Sequence, residues 1–464
     1  MIRTLMKALI SIIATTSASF ADEILNLPED FLAHPDGSFL LQNVRVLDGT
    51  SDAALEGVHI LISDGKIEAI GQRISVPDDA TVINLEGHTV LPGLIHLHDH
   101  FGYMSSPFRG YDFIILDPHP FSIPKLQLSV GVTTIRTAGS DAVILDGQLA
   151  KMIDAGEAVG PRTFVTSAIL EGPDVPILLY AETAEEGRAL VRSQLPFNVS
   201  SIKVYAGMGH EAMQAVIDEA HKHGLHVAGH LGKVSCAEAS EMGIDTIEHA
   251  LESCSSDFPS RTDRENPFRL SEQLGEADSL IRTLIKNGTV LVTTPSGGRR
   301  ANHSEEARSV FAIEQRVAFE KIGVEEGNRS ESGNPLYILS QKDEARKFER
   351  RFRDAGGRLL MGADAMYLPI IPGYSNQDIM VELADWHDPF DVIRMATSDA
   401  ADFLGIGGET GRIAGGFTAD LLIVEGAPDL NMTDIRRTKL VFQRGRAYDP
   451  LLLRAATVGR VGLD

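Results

Sequence analysis

Eight short runs rich in β-branched residues, separated by helical stretches, constrain the fold of this chain more than any other feature. They fall at 90–98, 132–136, 163–167, 201–205, 226–230, 245–249, 289–293 and 359–364. Strands that alternate with helical patterns form parallel βα units, so this spacing predicts an α/β fold with a (β/α)8 TIM barrel over 91–408. The flanks read differently. Short strand-like runs at 39–41, 44–47 and 58–62 are broken by turns, with Ser63-Asp64-Gly65-Lys66 reading as a hairpin. After the barrel, Gly411 to Gly416 and Ala419 to Val424 return to this style, so 36–90 and 409–464 are expected to build one small β-sandwich domain from both chain ends.

Reactive groups in such a barrel gather at the C-terminal ends of the strands. The first strand ends in His96-Leu97-His98-Asp99-His100, where a period of two points the three imidazoles to one face. The fourth embeds Lys203 in the apolar run Ser201-Ile202-Lys203-Val204-Tyr205. The fifth ends at His230, the sixth at His249 and the eighth at Asp364. Each has an ordinary alternative: a hydrogen-bonded structural histidine, a lysine paired to a carboxylate, an aspartate capping the next helix. Their coincidence at five matching strand ends favours a site for Zn²⁺ or a similar divalent ion.

Composition narrows the partners. Forty-two Lys and Arg against 65 Asp and Glu leave a net charge of -23, which repels nucleic acid and anionic membranes. A small-molecule substrate and a homo-oligomer are expected. Residues 1–21 read as a signal peptide: Arg3 and Lys7 precede an apolar stretch, and Ser19-Phe20-Ala21 predicts cleavage after Ala21 and a secreted or periplasmic protein. Cys236 and Cys254 follow His230 and His249 closely; two inert thiols are the simpler reading, and one bridge is the alternative. The polar segment 297–342 reads as a lid or a disordered insertion, and the charged run 341–353 as a solvated helix face.

The motifs Val90-Leu91-Pro92-Gly93-Leu94-Ile95, Ile247-Glu248-His249 and Gly362-Ala363-Asp364-Ala365, with the return from Gly411 to Leu421, resemble the amidohydrolase superfamily. Ile202-Lys203-Val204 and Val227-Ala228-Gly229-His230 most resemble its prolidase-like and imidazolonepropionase-like branch, which includes ochratoxin-type amidases. Counted from Pro92-Gly93, the resemblance implies His98 and His100 as the metal pair, with His96 a supporting residue or the rival ligand. It also implies two zinc ions bridged by a carboxylated Lys203, with His98, His100 and Asp364 on one and His230 and His249 on the other. A hydroxide shared by the metals would attack an amide C–N bond while Asp364 serves as general acid and base.

A dipeptide or N-acyl amino acid is the expected substrate. Tyr205, His210, Arg299 and Arg300 are candidate substrate contacts, an arginine being suited to a carboxylate. Cyclic amides, lactones and phosphotriesters suit the same centre, and an inactive metal-binding protein is the reading from another class.

Overall fold

The computed structural model describes residues 27–104, 116–173, 179–258, 269–295, 304–312, 316, 335–367 and 370–462. The expected signal peptide, Arg299, Arg300 and most of 297–342 lie outside them. Among the described residues, no helix is long and apolar enough to cross a membrane.

Two parallel sheets occupy the middle of the chain. One orders Arg162–Phe164, Val132–Thr137 and Leu94–Asp99; the other runs Leu179–Tyr180, Thr166–Glu171, Ser201–Val204, His226–Gly229, Thr246–Glu248, Val290–Thr293 and Leu359–Met361. Every pairing in them is parallel, as helix-connected strands require. The two sheets meet at both ends. Thr166 N–H donates to Thr137 Oγ1 at 2.8 Å, and Asp364 N–H donates to the His98 carbonyl at 2.9 Å. The second junction requires glycine, because a Cβ on Gly362 would fall 2.3 Å from His98 Cβ.

Helices separate most of these strands, and their starts are legible locally. Thr183 and Ser235 cap Ala184–Gln194 and Cys236–Met242, each with a reciprocal glutamate three residues on. The helix Pro335–Asp354 departs from expectation. Its charged stretch buries Phe348 and Phe352 together with Arg346 and Glu349, which pair at 2.9 Å. A run that reads as a solvated face thus turns two ionisable side chains into the interior, where they pair with each other.

Both ends of the chain enter one mixed sheet ordered Arg446–Tyr448, Thr438–Gln443, Leu421–Glu425, His88–Pro92, Phe39–Val46, Leu55–Ser63 and Lys66–Gly71. Phe39 packs edge-on against Phe442 at 5.2 Å within its apolar core. Asp64 and Gly65 take positive φ at the expected hairpin. The run expected as one strand over 90–98 is divided between two sheets at Gly93. Its N–H bonds the Asp420 carbonyl, and a Cβ there would strike Thr133.

Candidate metal centre

His98, His100, Lys203, His230, His249 and Asp364 all line one cavity of about 410 Å³ at the C-terminal ends of the parallel strands. His98 and Lys203 lie within strands, whereas His230 and His249 come one residue after theirs. His249, directly after its strand, and Asp364, three residues beyond its own, hold φ of 61° and 51°, left-handed conformations that turn the backbone.

Asp364 is the hub. Its Oδ1 lies 3.4 Å from His98 Nε2 and 3.2 Å from His100 Nε2, and its Oδ2 lies 4.0 Å from His249 Nδ1. The rings of His98 and His249, and of His249 and His230, sit 4.6 Å apart. Burial pushes the Asp364 carboxyl up, but His98 and His100 outweigh it and hold the group well below the usual range. Burial draws His230 down to about 4 and His249 well below its ordinary value, so both rings are neutral near pH 7, the form that binds metal. Burial likewise draws Lys203 down to about 8.

Behind the cluster lies a network that the strand-end reading missed. Glu248, fully buried, is hydrogen-bonded to His98 Nδ1 and accepts from Arg136 at 2.7 Å and Thr246 Oγ1 at 2.6 Å. A carboxylate on Nδ1 sets the tautomer that leaves Nε2 facing Asp364. Burial favours the neutral acid, but Arg136 and His98 overrule it and keep Glu248 ionised. Arg136, 1% exposed, also donates to the Leu97 carbonyl at 2.9 Å. Thr294 Oγ1 is bonded to His249 Nδ1 at 2.7 Å. The signal for Arg136 was present: a cation inside a β-branched strand, the same mark that singles out Lys203.

The other expected contacts divide. Tyr205 lines the cavity, its ring 4.5 Å from that of His230. His210 is absent from that lining; it is half exposed at the start of helix His210–Lys222 and pairs with Glu238 at 3.1 Å. His96 is fully buried outside the cavity lining, drawn down to about 3 by burial, with neither ring nitrogen hydrogen-bonded among the described residues. Cys236 and Cys254 are joined in a disulfide, which corrects the expectation of two thiols. Their loops follow adjacent parallel strands, which brings the sulfurs together.

One donor atom from each of His98, His249 and Asp364 lies within 4.8 Å of the others. Imidazoles and a carboxylate converging in this way fit a divalent ion. A larger hollow of about 600 Å³ elsewhere, between Leu274–Asn287 and Pro335–Asp354, contains none of these groups.

A polar centre of imidazoles, lysine and aspartate at the ends of parallel strands defines the class as an α/β protein suited to holding cations. The chain belongs to the amidohydrolase family, whose profile matches residues 89–447. It is 43% identical over 56 residues to a dihydroorotase of Mycobacterium tuberculosis, covering 12% of each chain. It is 24% identical over 234 residues to an imidazolonepropionase of Vibrio cholerae, covering 41% of this chain and 58% of the relative. The chain therefore matches only part of the length of these curated relatives. Among solved structures it resembles a Xaa-Pro dipeptidase with methionine bound in its active site, at TM-score 0.67 and 22% identity over 89% of this chain and 100% of that one. It also resembles the ochratoxinase of A. niger, at TM-score 0.63 and 19% identity over 89% and 96% of the two chains.

Proposed function

We propose that this protein is a metal-dependent amidohydrolase that cleaves the amide C–N bond of a dipeptide or N-acyl amino acid. The observation that carries the reading is the gathering of six strand-end groups, separated by up to hundreds of residues in sequence, around one cavity. In this reading the two parallel sheets are one (β/α)8 barrel over 91–408, the mixed sheet belongs to a β-sandwich domain from 36–90 and 409–464, and 297–342 forms an insertion. Residues 1–21 would direct the protein to the periplasm or outside the cell and be removed there.

His98, His100 and Asp364 would hold one divalent ion and His230 and His249 a second, zinc being the natural choice for this donor set. Bound there, the ions supply Lewis acidity, lowering the pKa of a water and polarising a carbonyl. Lys203 in its neutral form can add to CO2, releasing a proton and becoming a carbamate, which has the charge and oxygens to bridge two cations. Burial favours that neutral form. Asp364, within reach of two imidazoles, is placed to accept a proton and return it to the departing amine. Glu248 and Thr294 hold His98 and His249 in orientation.

The amino acid bound to the structural neighbour supports a peptide-like substrate. The names of the partial relatives favour a second reading, hydrolysis of a cyclic amide at the same centre. The test is metal content per chain, measured without chelator on wild type and Lys203→Ala, with hydrolysis of dipeptides, N-acyl amino acids and cyclic amides followed in parallel. About two metals falling to one or fewer in the variant support the bridged centre. About one metal in both proteins assigns Lys203 a structural role and refutes the bridge. Turnover of cyclic amides alone refutes the linear substrate.

A further inference from the structure

The Cys236–Cys254 bridge joins the segments that follow the two histidines proposed to hold the second metal. Cys236 opens the helix that follows His230, and Cys254 lies in the 3-10 segment Ala250–Asp257 that follows His249. The bridge thus ties together the two loops that carry these ligands. A second tie runs beside it, since the Asp257 carboxylate accepts from the N–H groups of Cys236 at 2.8 Å and Ala237 at 3.1 Å.

The tied segment begins under strain. His249 and Ala250, neither of them glycine, both take left-handed conformations, with φ of 61° and 46°. Side chains disfavour that region, so consecutive residues stay there only where their surroundings impose it. The surroundings here are Glu252 N–H donating to the His249 carbonyl at 3.1 Å, and Cys254 Sγ lying against the Ala250 carbonyl at 3.4 Å. The bridge anchors that sulfur. One residue earlier, Ser253 lines the cavity, and its buried Oγ has no hydrogen-bond partner among the described residues. A buried hydroxyl left unmatched by protein is suited to a polar atom of a ligand.

We propose that the Cys236–Cys254 bridge is a positioning device for the centre, holding the strained turn that aims His249 and placing Ser253 Oγ against the substrate. The inference rests on the metal centre proposed above. With the bridge open, the His249 turn relaxes, the site shared by His230 and His249 weakens, and the cavity wall carrying Ser253 shifts. Ligands on the other strands, His98, His100 and Asp364, are not tied by it.

The experiment compares the full chain in three forms: oxidised wild type, Cys236→Ala/Cys254→Ala, and wild type produced and kept in a reducing environment, with thiol state verified by mass after alkylation. Zinc per chain is followed against rising chelator, alongside circular dichroism. The expected result is a folded variant that loses one zinc at a chelator concentration at least tenfold lower than wild type, with KM raised several-fold and kcat changed less. Ser253→Ala should raise KM while leaving the zinc curve unmoved. Coincident zinc curves and equal KM in the bridged and unbridged forms overturn the proposal. If the double variant fails to fold, the reduced wild type supplies the same comparison. An oxidised wild type that takes up no zinc refutes the proposed centre itself, whereas one that binds zinc no more tightly than the reduced chain refutes this inference alone.

Discussion

Replacing Arg136 by Met tests whether the buried network behind His98 supports the fold as well as the site. Methionine fills similar volume without charge, so the change removes a cation and little packing. Breaking a buried pair by deleting one partner costs about 3–5 kcal/mol, because the remaining charge stays buried without compensation. Glu248 would keep two contacts, Thr246 Oγ1 at 2.6 Å and His98 Nδ1. The Leu97 carbonyl would lose the guanidinium bond at 2.9 Å. These retained contacts place the expected loss at the lower end, about 3 kcal/mol, or roughly 6 °C in melting temperature for a large chain. Urea unfolding in the presence of chelator is the assay, since bound metal would otherwise add its own stabilisation. Glu248→Gln and the double variant complete the cycle. Coupling predicts that the double variant loses less than the two single losses combined. A loss below about 1 kcal/mol for Arg136→Met, or additive losses around the cycle, would refute the reasoning.

Asp364→Asn should lower turnover by roughly two to four orders of magnitude while metal content stays high; retained activity would remove Asp364 from its acid–base role. Thr294→Val removes the hydroxyl bonded to His249 and should weaken metal binding about 10–100-fold in a chelator competition. An unchanged affinity would mean that His249 needs no such support. Glu349 gives a pH prediction. Burial pushes its carboxyl up to about 7, despite the opposing pull of Arg346 and Thr293. The folded state therefore holds this proton more tightly than the unfolded chain, so its contribution is full below the ordinary carboxylate range and declines as pH rises to about 7. Urea midpoints measured across that window should fall less for Glu349→Gln than for wild type, and parallel curves would contradict the assignment.

The sequence alone located the parallel strands, the hairpin at Asp64-Gly65 and the strand-end residues that line the cavity. These depend on short-range physics: a period of two fixes which face a strand residue takes, and a ligand at a strand end is read from its own neighbours. Tertiary structure decided the remainder. The division of 90–98 at Gly93 follows from close approach to Thr133, a residue some forty positions away. Arg136 and Glu248 are 112 residues apart, and only the parallel strands bring their charges into one buried pair behind His98. The charges at Arg346 and Glu349 looked solvated because a charge run is the same locally whether its partner is water or another side chain. Cys236 and Cys254 became a bridge because consecutive strands deliver the loops after His230 and His249 side by side. Local periodicity specifies the elements and their faces, whereas pairing across distant segments exists only once the sheets have formed.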